Sequence, residues 1–153
     1  MKIIILSVGK TKDIHLSALA DRYVKRTRPF VTIGHEFVPE GKDKDRNRKT
    51  EREGEELLKR VQPRDFVVTL EEGGEERTSP AFARWLGELI DGTPGRILFI
   101  VGGAFGLSRK VCDRRDASLS LSKMTFPHEF CPALLAEQIY RSFTILRGGE
   151  YHH

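Results

Sequence analysis

Residues 97–107 read ILFIVGGAFGL. The first five are apolar without interruption, which is typical of a strand buried on both faces of a parallel sheet. Glycines follow Val101 directly, and glycine lets backbone groups approach a ligand with no Cβ in the way. Ile3 to Val8 and Asp65 to Leu70 have a similar apolar character. This stretch therefore predicts a central strand of an α/β sheet that ends in a ligand-binding turn.

Strands and helices are predicted to alternate along the whole sequence. The remaining strands are predicted at 31–37 and 117–121, and a turn at 71–74. Helices are predicted over 14–26 with Asp13 as the N-cap, up to about residue 60, from Ser79, after an N-cap at Ser108 and over 132–147. With no repeat and no linker, we expect one α/β domain over residues 1–153, with a mainly parallel sheet flanked by helices.

The composition is that of a folded, water-soluble protein. Of 153 residues, 39% are hydrophobic and 31% are charged, which is unlike a disordered chain. No apolar run approaches the roughly 18 residues that span a bilayer. The run from Ile3 to Leu6 is too short for a secretion signal, so we expect a cytoplasmic protein without membrane contact.

Positive charge is concentrated near the start of the sequence. The net charge is +4, and residues 1–30 contain seven basic and two acidic side chains. The basic ones are Lys2, Lys10, Lys12, Arg22, Lys25, Arg26 and Arg28. This asymmetry indicates a basic surface for a polyanion such as RNA, although a solvated helix face gives the same pattern.

The two cysteines, Cys112 and Cys131, lie in separate predicted elements and have no CxxC spacing. We therefore expect two ordinary thiols, and neither a disulfide nor a metal site.

Three predicted strands end at Leu70, Gly102 and Leu121. Ligands of parallel α/β sheets collect at the carboxyl ends of the strands, so these three loops are expected to converge. The loop from Leu121 to Phe126, LSKMTF, could enclose a flat adenine while its main chain bonds the ring edge. For the loop from Leu121 to Phe126, the alternative is a core segment. For the glycine loop after Val101, the alternative is a plain strand-to-helix turn.

The last predicted helix carries an apolar stripe and a charged pair. Leu135, Ile139, Phe143 and Leu146 recur at helical spacing, as in a core or subunit interface. Glu137 and Arg141 lie one turn apart, so the arginine is either an intrahelical ion-pair partner or a group that stabilises an anion. The sequence then stops at Tyr151, His152 and His153, which alone would also fit a disordered end or a purification tag.

Taken together, the segments GGAFGLS, LSLSKMTFPH, EQIYRSF, ILRG and YHH resemble the RlmH (YbeA) family. These are knotted SPOUT-class methyltransferases that modify 23S ribosomal RNA. The resemblance covers essentially the whole sequence and is densest over 97–153. Because YHH belongs to the family pattern, we interpret it as native sequence.

The resemblance implies transfer of a methyl group from S-adenosylmethionine to N3 of a pseudouridine in 23S rRNA of the assembled ribosome. It also implies a homodimer and a C-terminal trefoil knot. The cofactor contacts it implies are Leu70, Gly102, Leu121, Ser122, Lys123, Met124, Thr125 and Phe126. Pro132 is a departure, because family members often have an arginine there.

The same resemblance directs attention to the last helix and the final residues for catalysis. His152 is the expected acceptor of the N3 proton, since histidine titrates near neutral pH. Arg141 would stabilise charge on the neighbouring carbonyl oxygens, and Tyr151 would stack on the base or hydrogen-bond to it. A nicotinamide oxidoreductase would need GxGxxG after the first strand, which SVGKTKD does not supply. A non-catalytic RNA-binding assembly factor remains the alternative.

Overall fold

Five strands form one parallel sheet in the computed structural model, which describes residues 2–153. They are β1 (Lys2–Val8), β2 (Thr32–Val38), β3 (Phe66–Glu76), β4 (Ile97–Val101) and β5 (Ala117–Ser120). Their order across the sheet is β2-β1-β4-β3-β5, and all four pairings are parallel. The predicted fold class, a mainly parallel α/β sheet flanked by helices, is confirmed.

The helices are sorted between the two faces of the sheet. They are α1 (Ile14–Thr27), α2 (Arg46–Arg60), α3 (Ser79–Gly92), α4 (Arg109–Arg114) and α5 (Cys131–Leu146). The connections through α1 and α3 run towards the β2 edge of the sheet, and these two helices pack with α5 on one face. The connections through α2 and α4 run towards the β5 edge, and these two helices pack on the other face. Right-handed crossovers require this sorting, because the direction of a connection fixes its face.

The core consists of two apolar layers separated by the sheet. In β4, Ile97, Phe99 and Val101 face α1, α3 and α5, whereas Leu98 and Ile100 face α2 and α4. All five are buried, because successive side chains of a strand point to opposite faces and helices cover both. The continuous apolar run that drew attention in the sequence therefore reflects burial on both faces.

Two predicted helix caps are present as hydrogen bonds. Asp13 Oδ1 accepts from the backbone N–H groups of His15 and Leu16, and so starts α1. Ser108 Oγ accepts from Val111 N at 3.4 Å and starts α4. Both satisfy backbone donors that have no partner within the helix. The start of α4 matters for function, because it follows the glycine loop.

The predicted turn at 71–74 is wrong. Strand β3 continues to Glu76, and its register against β5 shifts between Leu70 and Glu75. A Cβ on Gly74 would lie 2.8 Å from the carbonyl carbon of Leu119, so glycine here serves close approach of two strands. The residues between the two registers form an irregular excursion at the carboxyl end of the sheet.

In α5, Leu135, Ile139 and Phe143 are buried as expected, but Leu146 is 45% exposed.

Both cysteines are free thiols. Over residues 2–153, no helix is long and apolar enough to cross a membrane, and no group of histidine, cysteine or acidic side chains could hold a metal ion.

Candidate functional site

A cavity of about 940 Å³ opens at the carboxyl ends of β3, β4 and β5. Leu70, Gly102 and Leu121, the three predicted strand-end positions, all line it. The structure thus brings the three loops together, as parallel strands require. The volume lies within the range of about 300–1,000 Å³ usual for small-molecule sites.

The glycine loop forms one wall and is tightly folded. Gly106 N donates to the carbonyl oxygen of Gly103 at 3.1 Å, and Gly106 has φ +81°, which a residue with a side chain rarely adopts. A Cβ on Gly102 would lie 2.9 Å from the carbonyl carbon and oxygen of Gly106. The loop can therefore close on itself only with glycine at 102, which leaves bare backbone facing the cavity.

The loop after β5 forms the opposite wall. Its shape is held locally, because Ser120 Oγ donates to the carbonyl oxygen of Ser122 at 2.9 Å and Met124 N donates to Ser122 Oγ at 3.0 Å. Met124 is 75% exposed. The members of this loop that line the cavity are Leu121, Ser122, Met124, Thr125 and Phe126. Lys123 is exposed and is not among the lining residues.

A third wall comes from α2, which the sequence did not predict. Its lining residues are Arg46, Asn47, Thr50 and Glu51. The Arg46 guanidinium lies 4.5 Å from the ring centre of Phe105 in the glycine loop, so this wall joins α2 to the loop. In the sequence, the charges of α2 fit a solvated helix face. Only the one-turn spacing of the four lining residues could have indicated that they share one wall.

The wall next to β3 is acidic. Glu71 and Glu72 line the cavity, and Glu71 Oε2 lies 3.6 Å from Arg115 Nε. Cys112 and Cys131 line the cavity as well. Burial raises the pKa of both thiols, which keeps them protonated and unreactive at neutral pH. Carboxylates on this side favour the positively charged part of a ligand.

The candidate catalytic residues form a separate cluster on α5 and the final segment. Arg141 donates to Glu137 Oε1 through Nε at 3.0 Å, so the intrahelical ion pair, one of the two alternatives predicted for this arginine, is present. Arg141 Nη1 also donates to His152 Nδ1 at 3.1 Å, and its guanidinium lies 4.8 Å from the ring centre of Tyr151. The structure therefore brings Arg141, Tyr151 and His152 together around one carboxylate.

These contacts fix the proton positions in the cluster. A guanidinium only donates, so His152 Nδ1 accepts and the neutral ring carries its proton on Nε2. The Tyr151 hydroxyl lies 3.1 Å from Glu137 Oε1 and 3.2 Å from the Tyr23 hydroxyl. Burial and these two hydrogen bonds raise the pKa of Tyr151, so its phenol stays protonated near neutral pH.

None of Arg141, Tyr151 and His152 lines the cavity of the chain that carries them. His128, which follows the loop after β5, does line it. Within residues 2–153 of one chain, the cavity and the arginine–tyrosine–histidine cluster are thus two distinct places.

A family model described as "Predicted SPOUT methyltransferase" matches residues 1–152. The chain belongs to the SPOUT methyltransferase family. It is 40% identical to ribosomal RNA large subunit methyltransferase H of Bacteroides fragilis, over 100% of this chain and 99% of that protein. It is also 40% identical to a putative ribosomal RNA large subunit methyltransferase H of Methanococcus maripaludis, over 99% of both.

A solved structure agrees with this membership at the level of the fold. The structure of a probable methylase family protein from Haemophilus influenzae matches with a TM-score of 0.53 and 10% identity, over 99% of this chain and 70% of that one.

Proposed function

We propose that this SPOUT methyltransferase transfers a methyl group from S-adenosylmethionine to N3 of a pseudouridine in 23S rRNA of the assembled ribosome. The observation that carries the proposal is the cavity of about 940 Å³ between the glycine loop and the loop after β5. The names of the full-length relatives support rRNA of the large subunit as the substrate. The basic start of the sequence agrees with an RNA partner.

The lining of the cavity fits this cofactor. Gly102 packs closely against the backbone of Gly106, and the glycine loop lines the cavity with main-chain groups, which can bond the edge of an adenine. Glu71 and Glu72 on the β3 side suit the positive charges of the sulfonium and ammonium groups. When bound, S-adenosylmethionine supplies an electrophilic methyl group, and alignment with the nucleophile accounts for much of the rate.

The cluster on α5 supplies the acid–base chemistry in this proposal. His152 takes the proton that N3 must lose, and for this its ring must release Arg141, because Nε2 carries the proton while Nδ1 accepts from the guanidinium. The freed guanidinium of Arg141 then stabilises negative charge on the neighbouring carbonyl oxygens. Tyr151, which stays protonated, donates a hydrogen bond to the base or stacks on it.

The proposal includes a homodimer in which the final segment serves the partner's cavity. It is supported by the position of Arg141, Tyr151 and His152, which do not line the cavity of their own chain. It also includes a single domain, a C-terminal trefoil knot around the loops that precede α5, and a cytoplasmic location, where ribosomes are found.

The deciding experiment measures transfer of labelled methyl from S-adenosylmethionine to ribosomes that lack the modification, with separated subunits and naked rRNA in parallel. Label at N3 of a pseudouridine in 23S rRNA, on ribosomes only, is the expected result. Cofactor binding without label would show that the target is wrong. Ribosome binding with neither label nor cofactor binding would favour the non-catalytic assembly factor.

The role of His152 is tested in the same assay. His152→Ala is expected to lower kcat by about 100-fold or more, in line with the usual contribution of a general base, with little change in the Kd of S-adenosylmethionine. His15→Ala, at an exposed position on α1, is the matched control and should retain full turnover. An unchanged kcat in His152→Ala would remove this residue from the mechanism.

A further inference from the structure

A second cavity, of about 90 Å³, adjoins the first at the carboxyl ends of β1 and β4. It lies between residues 7–12 and residues 128–132. Val101, Gly102 and His128 line both cavities. Two spaces that share a boundary of three residues can hold two ligands whose reacting atoms meet at that boundary.

The walls of the smaller cavity are fixed by hydrogen bonds. Gly9, with φ +72°, turns the chain after β1 and donates to the carbonyl oxygen of Val38 at 2.7 Å. Lys12 N donates to Glu129 Oε1 at 3.0 Å, which ties the loop after β1 to the segment before α5. Ser7 Oγ lies 2.8 Å from His35 Nε2 at the base of the loop. The cavity is therefore preformed and does not depend on a flexible segment.

The size and lining of this cavity select a small, flat and neutral ligand. Its volume is about a tenth of that of the larger cavity, so it has room for one small ring and not for a second whole cofactor. Val8 and Pro132 offer apolar contact to the faces of a ring. The other lining residues include hydrogen-bond donors and acceptors. The donors are on Lys10, Thr11 and Lys12, and the acceptors are on Glu40 and Glu129. A neutral heterocycle with donors and acceptors on its edge matches this lining better than a phosphate would.

We propose that the smaller cavity receives the target nucleobase, a uracil-type ring turned out of its RNA stack, with its N3 edge directed across Gly102 and His128 towards the larger cavity. This inference rests on the proposed function, because it assumes an RNA base as the acceptor. Enzymes that modify a base in a structured RNA must first unstack it, which costs free energy, and a preformed pocket offsets that cost. The exposed side chains of Lys10 and Lys12 are placed to hold the adjoining phosphates.

Filling the smaller cavity tests the inference. Thr11→Phe places a ring where the base would lie, so kcat/KM for ribosomes is expected to fall about 100-fold, the scale of a misplaced reactant. The Kd of S-adenosylmethionine, measured by calorimetry, should stay unchanged. Thr93→Phe is the matched control, because Thr93 is half-buried at the opposite end of the sheet and should leave both values as they are.

Two results would overturn the inference. One is full turnover in Thr11→Phe, which would show that the space is not used. The other is loss of cofactor binding, which would assign the smaller cavity to the cofactor. If the wild-type protein itself transfers no methyl group to ribosomes, the proposed function fails instead, and the two failures are thereby distinguished.

A measurement on the unaltered protein guards against misfolding of the variant. The wild-type protein, saturated with S-adenosylhomocysteine, is crosslinked to unmodified ribosomes with ultraviolet light, and the RNA adducts are mapped by mass spectrometry. Adducts of the target base within residues 7–12 or 128–132 are expected. Adducts of that base found only elsewhere would contradict the placement.

Discussion

Gly102 has no space for a side chain. A Cβ there would lie 2.9 Å from two backbone atoms of Gly106 and 3.0 Å from Leu107 Cδ2. Backbone atoms in a closed loop cannot move aside as a flexible side chain can. We expect Gly102→Ala to open the loop and weaken S-adenosylmethionine binding about tenfold or more, which corresponds to ~1.4 kcal/mol and can be measured by calorimetry.

The control for that substitution is Gly92→Ala at the end of α3. Apart from its chain neighbours and the backbone of its own helix turn, no atom lies within 4 Å of a Cβ built on Gly92. Alanine favours the helix over glycine by about 1 kcal/mol in a helix interior and by less at an end, so stability should be unchanged or slightly higher. Equal cofactor affinity in Gly102→Ala and wild type would show that the loop does not hold the cofactor.

Glu53 is a carboxyl group buried behind the glycine loop, with 2% of its surface exposed. Its Oε2 accepts from Gly41 N at 2.9 Å, whereas Oε1 has no hydrogen-bond partner within residues 2–153. Burial raises the pKa of Glu53 above its ordinary value. Ionisation is thus less favourable in the folded than in the unfolded protein.

The shifted pKa of Glu53 makes stability depend on pH. A raised carboxyl pKa means that the folded state holds its proton longer, so this group lowers stability as pH rises through and above the ordinary value of 4.5. We expect the free energy of unfolding of Glu53→Gln, relative to wild type, to increase between pH 4 and pH 7 in urea titrations. Glu55→Gln, on the exposed face of α2, should show no such trend. A difference independent of pH would contradict a protonation effect at Glu53.

At the scale of elements, α2 and α4 pack through Gly54. A Cβ on Gly54 would overlap Ser108 Oγ and lie 3.0 Å from Ser108 Cβ. Alanine normally stabilises a helix interior relative to glycine, but we expect Gly54→Ala to lower the free energy of unfolding here by about 1–3 kcal/mol, the usual range for overpacking. Urea denaturation measures this change.

Removing the opposing side chain should reverse that effect. Ser108→Gly deletes the hydroxyl group, and glycine replaces serine at a helix N-cap at a cost of only a few tenths of a kcal/mol. The double variant Gly54→Ala/Ser108→Gly is therefore expected to regain most of the lost stability. If it remains as unstable as Gly54→Ala alone, the contact between the two helices is not the cause.

The elements that the sequence predicted correctly are those with a local physical signature. The apolar run of β4 and the capping residues Asp13 and Ser108 depend only on neighbours in the chain. The excursion of β3 could not be predicted in this way, because the glycine at 74 is required by the backbone of Leu119, which is distant in the sequence. For the same reason, the three strand-end positions of the site could be predicted, but the wall from α2, which forms only through tertiary packing, could not.

At the scale of the whole molecule, the proposed dimer can be tested by mixing chains. A heterodimer of one Gly102→Ala chain and one His152→Ala chain keeps one intact cavity and one intact final segment, on different chains. If the segment serves the partner's cavity, one site of two works, and about half of the wild-type methyl transfer is expected. If it serves its own cavity, each site carries one substitution, and only the low residual activity of the single variants remains when S-adenosylmethionine is kept well below its Kd for Gly102→Ala.

The reciprocal heterodimer gives the opposite result. At the same low cofactor concentration, a wild-type chain paired with a chain carrying both substitutions should retain only residual activity when sites are shared and about half of the wild-type activity when they are not. Differently tagged chains purified together, with light scattering to verify the dimer, provide both samples. A monomer in light scattering would contradict the dimer directly.

The central pair of the sheet joins parts of the chain that are made at very different times. Strand β1 lies beside β4, with Ile3 opposite Ile97, so the middle of the sheet cannot form until β4 has been synthesised. At about 5–20 residues per second, β4 follows β1 after roughly 5–20 seconds, and until then only the β2 edge of β1 can be paired. Pairing over such sequence distances is slow in any case. Completion of the sheet is therefore expected to wait for the pairing of β1 with β4, the last step that its centre needs.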